Sequence, residues 1–73
     1  MKQYENFLLK KEFITLGQLI KACGFIASGG DAKSYLIEHP VKVNKTLKTT
    51  RKTKIFVGDV IEIDHTVYTI THD

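Results

Sequence analysis

At Pro40, the only proline in the chain, the spacing of the apolar residues changes. Upstream it follows the helical period. Leu16, Leu19, Ile20 and Cys23 fall at i, i+3, i+4 and i+7, and Ala32, Tyr35, Leu36 and His39 share one face of a second helix. Downstream the period is two, with Val41, Val43 and Leu47 on one side and Lys42, Asn44 and Lys48 on the other. Helices followed by alternating strands predict an α+β domain, two helices packed on a small, mainly antiparallel β-sheet.

Short-range signals bound these elements. Thr15 and Gln18 are spaced as a capping box at the start of the first helix, and Gly24 suits its left-handed end. Ser28-Gly29-Gly30 is expected to be a tight turn into the second helix, which Pro40 stops at Glu38 or His39. Asn44-Lys45, Gly58-Asp59 and Asp64-His65 read as turns. Between them lie a polar, basic connection from Thr49 to Lys54 and strands at Val60–Ile63 and Thr66–Thr71. Tyr4–Leu9 can form a further strand, so residues 1–73 are expected to make one domain, with 1–12 an N-terminal strand or extension.

Several classes of function are excluded at this stage. A chain of 73 residues buries only roughly 60% of its unfolded surface, which leaves little room for a deep pocket or a small-molecule substrate. No apolar run approaches the ~20 residues of a membrane span, and no secretory leader core follows Met1, so a cytoplasmic protein is expected. One cysteine, Cys23, allows no internal disulfide and no Cys-pair zinc site, and its place on the apolar stripe makes it a small core residue. His39, His65 and His72 have no metal-ligand spacing, and Ser28 and Ser34 have no paired base. No enzyme activity, metal or cofactor is expected.

Charge is more informative. From His39 to Val57 the chain carries Lys42, Lys45, Lys48, Arg51, Lys52 and Lys54 and no Asp or Glu, a balance of +6 against −3 for the remainder and +3 overall. Such a segment is the footprint of a polyanion partner, although a solvated, lysine-rich sheet edge has the same composition. Gly29 and Gly30 precede a helix start where free amides could meet a phosphate beside Lys33.

Taken in order, Gly29-Gly30-Asp31-Ala32-Lys33, Leu36, Val41-Lys42-Val43-Asn44 and Gly58-Asp59-Val60-Ile61-Glu62-Ile63 resemble the RNA-binding domain first seen in ribosomal protein S-four, built on the alpha-L motif. Ile14-Thr15-Leu16-Gly17-Gln18 and Ser28-Gly29-Gly30 narrow the resemblance to small stand-alone bacterial proteins of the YaaA/YbcJ type. It spans residues 13 to 70. Lys45 stands where the family usually turns on glycine or aspartate.

The resemblance implies a two-helix and β-loop surface that grips structured RNA, ribosomal RNA or a ribosomal particle first and transfer RNA second. Its contacts would be Gly29, Gly30, Lys33, Lys42, Lys45, Lys48, Arg51, Lys52 and Lys54. The rival expectation is a protein–protein adaptor on the same fold, which would expose Phe25 or Ile26.

Overall fold

The computed structural model describes residues 2–72. The capping box forms as the sequence predicts. Thr15 Oγ1 accepts from the Gln18 amide at 3.3 Å, and the Thr15 amide donates to Gln18 Oε1 at 3.1 Å. Helix α1 then runs over Leu16–Ala22, and Gly24, with φ +85°, ends it. The two remaining free amides of its first turn donate to the chain's basic segment: Leu16 to the Thr53 carbonyl at 2.8 Å and Gly17 to the Arg51 carbonyl at 2.9 Å. The start of α1 is therefore satisfied internally and fixes the path of residues 51–53.

A 3-10 turn at Gly29–Asp31 leads into α2, Ala32–Glu38, which stops before Pro40. Neither Gly29 nor Gly30 has a positive φ, and a Cβ at Gly29 would meet nothing within 4 Å. The turn therefore forms without the left-handed backbone that would require glycine. Gly24 and Gly58 (φ +96°) occupy the left-handed region instead.

Seven strands complete the fold: β1 Gln3–Leu9, β2 Phe13–Thr15, β3 Val41–Val43, β4 Thr46–Lys48, β5 Lys54–Phe56, β6 Val60–Ile63 and β7 Thr66–His72. Five form one sheet in the order β1-β7-β6-β3-β4, and β2 pairs with β5 in a separate two-stranded ribbon. The large sheet is antiparallel except at one edge, where β1 runs parallel to β7 with Gln3 opposite Thr66. The ribbon was not foreseen, because Phe13–Thr15 and Lys54–Phe56 are too short to show a period. Ile55, inside the segment expected to be polar connection and its flank, is fully buried opposite Ile14.

The inner face of the sheet presents Leu9, Val41, Val43, Ile61, Ile63 and Ile70 to Leu16, Leu19 and Ile20 of α1 and Ala32 and Leu36 of α2, forming the core. Cys23 is only half-buried and His39 is exposed, its ring 4.8 Å from that of Tyr35. Leu47 also departs from expectation. The Asn44-Lys45 turn, both residues at positive φ (51° and 70°), sets Val43 opposite Thr46 and Lys42 opposite Leu47. Opposed residues share a face, so Leu47 follows Lys42 outward and is 57% exposed. Phe25 and Ile26 are partly buried against the core. No described helix is long and apolar enough to cross a membrane.

Candidate nucleic-acid interface

The basic segment does not form one surface. Its two turns send the cations to four places. The loop between β4 and β5 lies across the start of α1, held there by the Leu16 and Gly17 amides. This brings Arg51 and Lys52 between two shallow depressions. One, about 290 Å³, is lined by Thr15, Gly17, Gln18, Lys21, Gly29, Arg51 and Lys52. The other, about 320 Å³, is lined by Lys33, Thr49, Thr50, Arg51 and Lys52. Lys21 from α1, Lys33 from α2 and Arg51 and Lys52 from the loop thus edge two adjoining depressions, together the groove, that share Arg51 and Lys52. No Asp or Glu is among these lining residues.

Gly17 explains how three elements come so close. A Cβ there would lie 3.2 Å from Arg51 Cβ, 3.3 Å from the Arg51 carbonyl oxygen and 3.5 Å from Ala32 Cβ. Only a residue without a side chain lets α1, the start of α2 and the loop meet at that point without adjustment. Gly17 was not singled out from sequence, and neither was Lys21. Lys21 lies six residues after the Thr15 cap on the exposed side of α1 and outside the charged segment.

Of the residues expected from sequence, the structure gathers Gly29, Lys33, Arg51 and Lys52 here. Gly30 does not line either depression. The start of α2 carries Asp31, whose carboxylate accepts from the Ser28 hydroxyl at 3.4 Å. That negative charge disfavours a phosphate at the same amides. Lys54 is turned to the β2–β5 ribbon, with its Nζ 4.9 Å from the centre of the Phe13 ring. Phe13 in turn packs on Phe56 at 5.9 Å. Lys48 is half-buried on β4, opposite Val41. Lys42 and Lys45 lie on the outer face of the large sheet near Glu62, where they help Lys2 hold that carboxyl below the usual range.

Asn44 belongs to the scaffold. Its side chain donates to Asp59 Oδ1 and accepts from the Val60 amide, each at 3.0 Å, while Asp59 Oδ2 accepts from the Phe56 amide at 2.8 Å. These bonds tie the β3–β4 turn to the β5–β6 turn and so set both ends of the basic segment.

Chemically, the groove offers positive charge and backbone shape. Among the described residues no group of three His, Cys, Asp or Glu converges to hold a metal. Burial pushes the Cys23 thiol up, so it stays protonated beside the Tyr68 hydroxyl.

Two comparisons bear on this geometry. A family model described as the S4 domain matches residues 7–71. The chain is also similar to the probable ribosome maturation protein RlbA of Bacillus subtilis (strain 168), with 51% identity over 53 residues, 73% of this chain and 75% of that protein.

Proposed function

Since the chain belongs to the S4 domain family, we propose that it is a non-catalytic, cytoplasmic RNA-binding protein. It grips structured RNA, with ribosomal RNA the first candidate and transfer RNA the second. The observation that carries this reading is the convergence of Lys21, Lys33, Arg51 and Lys52 from three elements on a groove without an acidic lining residue. The similarity to a probable ribosome maturation protein of Bacillus subtilis supports ribosomal RNA over other structured RNA.

Cations on rigid elements position a phosphate backbone without reading its sequence. Folded RNA is largely recognised by such shape and by its 2′-hydroxyls. Lys33 and Arg51 line the same depression, and the fork of Arg51 can engage a phosphate bidentately where the lysines act as point charges. Lys42, Lys45, Lys48 and Lys54, away from the groove, add long-range attraction.

Titration of the chain against a folded ribosomal RNA fragment and against transfer RNA, at a series of salt concentrations, tests this reading. Four to six phosphate contacts, roughly, give a slope of log K against log salt of about −3 to −5. Lys33→Glu should cut the affinity about tenfold, or 1.4 kcal/mol. It should keep or slightly raise the melting temperature, because an acid suits the first turn of α2. A flat salt dependence, or a Lys33→Glu variant that binds as the parent does, refutes the groove as the RNA surface.

A further inference from the structure

The outer face of the five-stranded sheet, turned away from the helices, is not used by that groove. One row of cross-strand partners crosses it: Tyr4, Val67, Glu62, Lys42 and Leu47. Tyr4 stands 75% exposed at the β1 edge, while Val67, in the next strand, is buried although it lies outside the core. Together with Lys2, Asn44, Lys45, Val60 and Glu62 they line a depression of about 430 Å³. Here an exposed tyrosine borders a floor of Val60 and Val67, with the cations Lys2 and Lys45 at the rim.

The polar groups narrow the occupant. Lys2 donates to Glu62 Oε1 at 2.8 Å, which keeps the carboxylate ionised and fixed while leaving Oε2 outside that bond. Lys42 and Lys45 lie close enough to act on the same carboxyl, so the face is positive overall. The centre of a protein interface is depleted of charge, whereas the middle of this face carries Lys2, Glu62 and Lys42. Leu8 and Leu47 are on opposite edge strands, and Asn6, Thr69 and Thr71 interrupt the space beside Tyr4. An aromatic ring beside lysines is instead the arrangement that holds an unpaired base and its phosphate. Between β1 and β6 lies one strand, about 10 Å of sheet, enough for a base between Tyr4 and Glu62.

We propose that this face takes one unpaired guanine nucleotide of RNA, its base against the Tyr4 ring and its Watson–Crick edge on Glu62, with Lys42 and Lys45 attracting the strand's phosphates at longer range. Guanine is selected because a carboxylate only accepts hydrogen bonds, and the guanine edge presents two adjacent N–H donors. Adenine and uracil present a donor beside an acceptor. The inference rests on the RNA-binding reading above and adds to it a second contact on the opposite side of the domain, so that one molecule can touch two RNA segments.

The test is a titration of isotope-labelled protein with a short oligouridine carrying one central guanosine, followed by amide resonances. The signals of Tyr4, Lys45, Val60 and Val67 should move, and an oligomer with adenosine in place of guanosine should bind about tenfold more weakly. Tyr4→Ala should cost about tenfold or more in affinity for the guanosine oligomer. Tyr4→Phe should restore most of it, and Glu62→Gln should abolish the preference for guanosine. Tyr4→Ala should leave binding of folded ribosomal RNA through the groove intact.

Silent sheet resonances, or an unchanged affinity in Tyr4→Ala, overturn the proposal alone if folded RNA still binds with its steep salt dependence. Failure of both RNAs to bind overturns the earlier reading and this one together. Concentration-dependent shifts of the same resonances without RNA would assign the face to a second copy of the chain and also overturn it.

Discussion

Gly17 is the residue on which the groove turns. Replacing a helix glycine with alanine contributes about 1 kcal/mol through helix propensity. At this position the added methyl meets Arg51 at 3.2 and 3.3 Å, so the exposed loop must give by a few tenths of an ångström. The two effects oppose each other, and Gly17→Ala is expected to stay within about 1 kcal/mol of the parent stability in urea unfolding. Displacing Arg51 also loosens the Gly17 amide bond to its carbonyl. RNA affinity should therefore fall about threefold to tenfold, roughly one hydrogen bond's worth; an unchanged affinity would mean that Gly17 does not set the loop. Thr15, Gln18 and Gly24 were legible in the sequence because their partners lie within a few residues. Gly17 was not, because its reason is Arg51, far along the chain.

Among the elements, the basic loop has two separable roles. Its side chains at Arg51, Lys52 and Lys54 are exposed, while its carbonyls at Arg51 and Thr53 close the first turn of α1. Changing all three side chains to alanine leaves those carbonyls in place. The one packing loss is Lys54 over Phe13, worth about 0.5 kcal/mol at an exposed site. The triple variant should keep its thermal midpoint almost unchanged and lose most RNA binding. By contrast, Thr15→Ala breaks the capping box and should cost about 1 kcal/mol in the same thermal measurement. An unfolded triple variant would show that the loop is held by its side chains. The helices, the turns at Asn44-Lys45 and Gly58-Asp59 and the strand at Val60–Ile63 could be read from local chemistry. The outward side of Leu47, the β2–β5 ribbon and the division of the lysines among four surfaces follow from register and long-range pairing, which no short window contains. The positive segment in the sequence therefore signalled a polyanion partner without indicating which of its cations act together.

At the scale of the whole molecule, one side of the core ends in an aromatic group. Phe25 lies 6.0 Å from Tyr35 and 6.3 Å from Tyr68, where helices and sheet meet. Burial pushes the Tyr68 hydroxyl up to about 12, and that of Tyr35 moves the same way. A tyrosine whose folded value exceeds the unfolded value of roughly 10 favours folding while neutral. Its contribution is complete below that pH and is lost as pH rises toward the folded value. Stability in urea should thus be flat near neutrality and fall between about pH 10 and 12, and Tyr68→Phe should flatten that fall. An equally steep fall in Tyr68→Phe would place the titration elsewhere. The parallel edge of the sheet has a different consequence, for the order of assembly. Residue 3 pairs with residue 66, so β1 has no partner in the sheet until β7, 63 residues later, has been made. The nascent chain can wind its helices and close its hairpins as it emerges, but the sheet is completed only after β7 has left the ribosome. Such distant closure raises contact order and slows folding relative to a helical bundle of the same length; in a nascent chain β1 cannot dock before β7 has emerged.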